Sequence, residues 1–369
     1  MTGVILGWVI LSFALIRMII SLVNLLSPVF LPRTFHHSER FVSVLIPARN
    51  EAQNLPKLLS TLMTQDHSNM EVLVYDDHSE DGTGDVVRKF SEKDNRIQLI
   101  HGKELPHGWL GKNFACHQLA THARGAYLLF LDADVHVSSS LVNRCVQYVH
   151  AHQLALLSFF PRQEIRSIGE WVTVPLMNWI LLTLLPLVLV RKSPRPSLAA
   201  ANGQLMMFQT DIYHKHQWHE LVKDDLVEDI VISREMKEKG YKVCTLLGSD
   251  DVSCRMYTSF REGVNGFAKN VVEFFGGNPY VAILFALFIL SGIVIVPIFL
   301  GTIPFLIYLM SIILTKVFVS LLSRQSVFNN LLFHIPQMTS FIVMLYKGIL
   351  VRFSGAYYWK GRKIGGDND

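Results

Sequence analysis

Charge is scarce in this 369-residue chain: 17% of its residues are Asp, Glu, Lys or Arg, while 50% are hydrophobic. Soluble domains carry about 25% charged residues, and at a mean hydropathy of +0.31 part of this surface must meet lipid. Neither sign dominates, with 34 Lys and Arg against 30 Asp and Glu. The cationic stripe that grips phosphates is therefore missing, and no nucleic-acid partner is expected. Cysteine is sparse too. Cys116, Cys145, Cys244 and Cys254 stand far apart without a C-x-x-C pair, which indicates neither a disulfide framework nor a zinc site, and the soluble part reads as cytosolic. No G-x-G-x-x-G follows the first apolar strand and no G-x-x-x-x-G-K-[ST] occurs, which argues against a dinucleotide oxidoreductase and a P-loop NTPase. His214, His216 and His219 cluster, but without cysteine partners or a glutamate at helical spacing; they are assigned no metal and read as a solvated or interfacial face.

What the chain has instead is long apolar runs. About 20 apolar residues cross a bilayer as a helix. Val4 to Phe30 is interrupted only by Arg17 and lacks a small-residue cleavage site, so it reads as an uncleaved anchor. Arg33 and Arg40 follow it and place the succeeding chain in the cytoplasm by the positive-inside rule. Tyr280 to Thr315 holds no charge and breaks at Gly301 to Pro304, the pattern of a tight hairpin of two spans, with Lys316 and Arg324 on the return side. A third run, Gln325 to Tyr346, precedes Lys347, Arg352, Lys360, Arg362 and Lys363. One further span would send that basic tail outside, so a re-entrant or interfacial segment is expected. Trp171 to Val190 is uncharged but carries Pro175 and Pro186, and suits a helix lying flat under the headgroups with its tryptophans at the interface and the basic loop 191–197 after it.

Between about residues 41 and 255 short apolar runs ending in polar clusters alternate with amphipathic stretches, the signature of a parallel sheet with crossover helices. Phe41 to Ile46, Glu71 to Tyr75 and Tyr127 to Leu131 read as strands, and each runs into a loaded tail: PARNE, DDHSEDGT and DADV. Ligands bind at the carboxyl ends of strands in such sheets, so the three tails converge on one site. Asp132 and Asp134, two apart at a strand end, put both carboxylates on one side, an arrangement that suits a hard divalent cation against a diphosphate. Asp76 and Asp77 can accept hydrogen bonds from a base or ribose, or Asp77 or Ser79 can cap the helix starting near Gly82. Pro47 stops the first strand, and the loop it opens, through Arg49 and Glu51, can frame a planar base. In HGWLGKN, Lys112 can reach a phosphate. Residues 221–240 read as one helix with Val227, Ile230 and Val231 inward, Gly240 as its stop, and Glu228 and Asp229 near its start. Transfer to a hydroxyl needs a general base, and a carboxylate here can serve.

The ordered set PARNE, YDDHSEDGT, GWLGKNFAC, FLDADV, VED, RMYTSFREGVNGFAKN and WKGRKI resembles glycosyltransferase family 2 over nearly the whole chain, and within it bacterial membrane enzymes that glycosylate carotenoid acids. The resemblance implies an α/β GT-A fold, a nucleotide-sugar donor of the UDP type, Mg2+ or Mn2+, and an inverting single displacement. It implies that Pro47, Arg49, Glu51, Asp76 and Asp77 hold the nucleoside, Lys112 and Glu228 line the donor, Asp132 contacts sugar or ribose and metal, Asp134 is the principal metal ligand, and Asp229 is the base. The Q-x-x-R-W motif of processive relatives is missing; Arg255, Met256, Tyr257 and Arg261 stand there instead. A single sugar added to a lipid acceptor is the reading preferred, with a polysaccharide synthase and a non-catalytic nucleotide sensor as alternatives. The expected layout is an anchor at 1–32, the catalytic domain at 41–255, an amphipathic interfacial helix at 256–278 (Phe260, Val264, Phe267, Val271 and Phe274 at helical spacing), membrane helices at 280–350 and a basic cytoplasmic tail at 351–369. The expected location is the cell membrane, multi-pass, with the catalytic domain cytoplasmic.

Overall fold

The computed structural model describes residues 1–33, 39–354, 357–359 and 362–364. Lys360 of the expected basic tail, with 365–369, lies outside them. The chain forms two compact units, one of 1–28, 165–188 and 257–369 and the other of 29–164 and 189–256. The expected single catalytic stretch thus gives up residues 165–188 to the helical unit.

Among its described residues the α/β unit contains ten strands: β1 (Val42–Ala48), β2 (Met70–Asp76), β3 (Ile97–His101), β4 (Tyr127–Leu131), β5 (Val135–Val137), β6 (Leu156–Phe160), β7 (Arg162–Gln163), β8 (Leu205–Gln209), β9 (Val243–Leu247) and β10 (Val252–Cys254). Seven of them make a sheet in the order β3-β2-β1-β4-β8-β6-β9, and β5-β10-β7 make a small second one. β1 and β4 are continuous apolar runs because helices cover both faces of a parallel sheet, and Val42, Val44, Ile46, Leu129 and Leu131 are all buried. Glu71, buried on β2, accepts from the Ser43 hydroxyl at 2.6 Å and from the Arg124 backbone N–H at 2.8 Å, so a polar lock joins β1, β2 and the turn into β4.

The sheet is mixed, not wholly parallel: β8 runs antiparallel to both β4 and β6. Leu205, the first residue of β8, pairs with Leu131, the last of β4. The chain therefore re-enters the sheet at its carboxyl edge, and the turn leading into β8 lies there. Pro47 does not stop β1 but lies within it, paired in register with Tyr75. The β4 ladder reaches β1 only as far as Leu45, so the N–H that Pro47 lacks is not missed on that side. The helix expected over 221–240 is confined to Glu228–Glu238, with a separate turn of helix at Trp218–Leu221. Ile232, Ser233 and Met236 face inward, while Ile230 and Val231 are half-buried.

In the helical unit Thr2–Leu26, Pro279–Leu300 and Thr302–Leu322 are long and apolar enough to cross a membrane, and among the described residues they are the three that are. Gly301 makes the hairpin at φ +84°, a left-handed conformation that a side chain would strain. Ile10 and Leu11 of the first helix pack with Val296 and Tyr308 of the hairpin. The expected surface helix at 171–190 is instead broken into Ile168–Trp171, Pro175–Leu184 and Leu187–Lys192. Every residue from Pro175 to Thr183 is buried, and Trp179 stacks edge-on against Phe285 and Phe341. A helix apolar all round is driven inside a bundle, not onto its rim. Helix Phe260–Val271 turns Val264, Phe267 and Val271 inward and leaves Phe260 exposed; it packs against His334–Ser354.

Candidate active site

The turns after β1 and β2 are stitched together. Arg49 donates to the Asp77 carbonyl at 2.6 Å and lies 3.7 Å from its carboxylate. The Asn50 N–H donates to the Ser79 hydroxyl and the Glu80 N–H to the Asn50 side chain, both at 2.9 Å. The Glu51 N–H reaches Thr83 Oγ1 at 2.8 Å. Asp76 Oδ1 accepts from the Ser79 N–H at 3.1 Å. The helix that follows is capped by neither Asp77 nor Ser79. Asp81 does this, accepting from the Thr83 N–H at 3.0 Å and from the Ala52 N–H at 3.0 Å. Its carboxyl is held below the ordinary value; burial opposes this, and the Thr83 and Ala52 bonds outweigh it.

Lys112 stands in the first turn of helix Gly111–His122 and binds Asp132 Oδ1 at 2.9 Å, Asp132 Oδ2 at 3.1 Å and Glu228 Oε1 at 3.3 Å. Burial opposes its charge, but Asp132 and Glu228 outweigh burial and hold its pKa well above the lysine value. Asp132 and Asp134 occupy the turn between β4 and β5, not an extended strand end, and the Asp132 N–H donates to the Gln204 carbonyl at 3.1 Å. Asp134 is pushed up to about 7 by burial, then by the charges of Asp132 and Glu51. Its Oδ1 is buried and accepts no hydrogen bond.

Asp229 opens helix Glu228–Glu238. The Gly203 N–H donates to its Oδ2 and the Ile230 N–H to its Oδ1, both at 2.8 Å. Burial and then the Glu228 charge raise it to about 7 against these two bonds and Lys112. Gly203 is where the group closes up. A methyl added there would fall 2.8 Å from Glu228 Oε1 and 3.2 Å from Lys112 Nζ. The structure therefore brings Lys112, Asp132, Glu228 and Asp229 together around Gly203, with Asp134 and Glu51 close enough to feel one another. Arg49, Asp76 and Asp77 lie at the neighbouring stitched turns, and Pro47 lies in β1.

Sequence reasoning missed Gly203 and also Cys254, which accepts from Gln204 Nε2 at 3.0 Å and hydrogen-bonds Asp134. The only signal was a polar Asn-Gly-Gln turn ahead of an apolar run. His219 is not solvated but buried; its ring bonds the Tyr213 hydroxyl at 2.7 Å, and burial lowers its pKa to about 3.

A divalent cation fits this donor set. The orphaned Asp134 oxygen lacks a proton donor, and Asp132 presents a second carboxylate. No group of three or more His, Cys, Asp or Glu suited to a metal occurs among the described residues, so donor phosphates and water would complete the shell.

Residues 43–216, from β1 past β8, match the family model described as glycosyl transferase family 2. The matched residues carry Lys112, Asp132, Asp134 and Gly203, with Glu228 and Asp229 just beyond them, and they mark the chain as a glycosyltransferase. Among its relatives is the 4,4'-diaponeurosporenoate glycosyltransferase of Staphylococcus haemolyticus, 26% identical over 256 residues, which span 68% of this chain and 67% of that one. The Staphylococcus aureus enzyme of the same name is 24% identical over 252 residues, 67% of this chain and 64% of that one. Of solved structures, mannosyltransferase PcManGT from Pyrobaculum calidifontis, in complex with GDP-Man and Mn2+, superposes with a TM-score of 0.57 at 18% identity, covering 94% of this chain and 97% of that one. The α/β unit has the GT-A fold.

Proposed function

We propose that the chain is an inverting glycosyltransferase that moves one sugar from a nucleotide-sugar, of the UDP type, to a hydroxyl or carboxyl of a membrane lipid at the cytoplasmic face of the cell membrane. The observation that carries this reading is Asp229: a half-buried carboxylate whose two oxygens are fixed by the Gly203 and Ile230 N–H groups, beside the Lys112–Asp132 pair. In the reaction the acceptor oxygen attacks the anomeric carbon as its proton passes to Asp229. The new C–O bond forms while the bond to the diphosphate oxygen breaks, and inversion follows from the single displacement. Lys112 is the cation available to the leaving diphosphate, and Glu228 sets its place. A Mg2+ or Mn2+ ion held by Asp134 with Asp132 would neutralise charge on the departing nucleotide. Arg49, Glu51, Asp76 and Asp77 take the nucleoside. The homologues' named activity and the three apolar helices support a lipid acceptor, and the cations Arg33, Arg40 and Arg324, outside those helices, support the orientation.

The test is nucleotide release by the detergent-solubilised full chain with Mn2+ and UDP-glucose, UDP-N-acetylglucosamine, UDP-galactose or GDP-mannose, with and without lipid extract. Lipid-dependent release that falls by about 10²–10⁴-fold in Asp229→Asn, with donor binding retained, is expected for a hydroxyl acceptor. A carboxylate acceptor arrives without a proton, so the same variant then loses much less. Silence with every donor overturns the reading.

A further inference from the structure

Arg17 and Lys316 are charges in apolar helices, and neither faces outward: they are 7% and 2% exposed. Among the described residues neither has a carboxylate partner. Arg17 Nε and Nη2 both donate to one acceptor, Thr183 Oγ1, at 3.2 and 3.0 Å, and Lys316 Nζ donates to Gln337 Oε1. Both cations lie over the same ring, with Arg17 Cζ 4.3 Å and Lys316 Nζ 5.3 Å from the Trp179 centroid. Two buried positive charges beside one aromatic ring repel each other, and although Arg17 also lies 5.1 Å from the Phe285 centroid and 5.7 Å from that of Phe13, the desolvation penalty of an ion is roughly several-fold what a ring returns. Thr183 and Gln337 are neutral and leave further N–H groups of both cations without acceptors. What the arrangement lacks is negative charge.

We propose that Arg17, Lys316 and Trp179 form a buried oxyanion site that takes the phosphate or carboxylate of an amphiphile. It lies among residues that play no part in the transfer chemistry. Charged side chains inside membrane-spanning segments are rare and face bundle interiors or substrate paths, and both cations belong to apolar helices, which favours a lipid headgroup over a free ion. The inference rests on the membrane-embedded reading of those helices.

The experiment uses the full chain in nanodiscs and reads Trp179 emission, isolated by difference from Trp179→Phe. Phosphatidylglycerol brominated near its headgroup should quench more than phosphatidylcholine brominated at the same place. The excess should need roughly tenfold or more anionic lipid in Arg17→Met and Lys316→Met, as expected for losing a charged hydrogen-bond donor, and persist in Lys316→Arg. If added inorganic phosphate shifts Trp179 emission while the two lipids quench equally, the oxyanion site stands and its occupant is a free ion. Equal quenching with no response to phosphate overturns the inference. Because that comparison needs only the native chain and Trp179→Phe, it decides even if the Met variants fail to fold. Nucleotide release is measured on the same discs: transfer with neither lipid preference nor a phosphate response sinks this inference alone, and lipid preference without transfer sinks the proposed function alone.

Discussion

Gly203 has no side chain to contribute, and the site depends on that. Gly203→Ala should give a folded protein with activity at least about tenfold lower, because the added methyl must displace Glu228 or Lys112 and an anchored group moved by about 1 Å loses productive geometry; nucleotide release alongside thermal unfolding checks it. Asp229 ties function to pH. Its folded pKa is raised, by burial and Glu228, from 3.8 to about 7, so its contribution to stability is fully present below the unfolded value and lost as pH rises through the folded one. On the proposed role of Asp229 as base, activity moves oppositely, since a base works ionised. The kcat/KM profile should carry an acid limb with its midpoint close to the folded value, which Asp229→Asn removes. In thermal unfolding that variant should gain on the native chain at about pH 8 but not at about pH 5.

Strands whose polar tails carry the site were readable because a parallel strand delivers whatever follows it to the carboxyl edge, as β1, β2 and β4 do. β8 reverses that rule: running antiparallel, it delivers what precedes it, and so the turn at Asn202 to Gln204 joined the site unannounced. Trp171 to Val190 misled in another way, since an uncharged segment with two prolines looks the same whether lipid or protein covers it. Only the partners Phe285 and Phe341 decide, and they come 106 and 162 residues after Trp179 in the chain. His219 looked polar by its neighbours in sequence, whereas its neighbours in space are Tyr213 and Phe130. Among the α/β elements, Arg144 of helix Leu141–His152 is a joint of the same kind. It ion-pairs with Asp251 and donates to the carbonyls of Leu31 and Pro32 at 2.9 Å. Burial opposes the Asp251 charge, but Arg144 outweighs it and keeps that carboxyl below its usual range. Arg144→Met should cost about 1.5–3 kcal/mol, read as a lowered unfolding midpoint at neutral pH. The part of that loss due to the Asp251 pair should shrink as acid protonates the carboxylate.

At the scale of the molecule, topology can be read with a single thiol, because all four native cysteines are buried. Lys239 is exposed at the end of its helix, and Lys239→Cys should escape an impermeant maleimide in intact cells and react once they are opened. Labelling of intact cells would place the α/β unit outside. The helical unit is assembled from three separated stretches of chain, the middle one an excursion out of the sheet. A fragment cut at 29–256 still carries Pro175–Leu184 without the helices that bury it, and should aggregate where the full chain does not. The same interleaving sets a timetable for synthesis. Helix Thr2–Leu26 leaves the ribosome roughly 250 residues before Pro279–Leu300, about 10 to 50 seconds at ordinary elongation rates. For most of that interval Arg17 has neither Thr183 nor Trp179 to receive it, so its charge must be solvated by other groups until the rest of its bundle arrives.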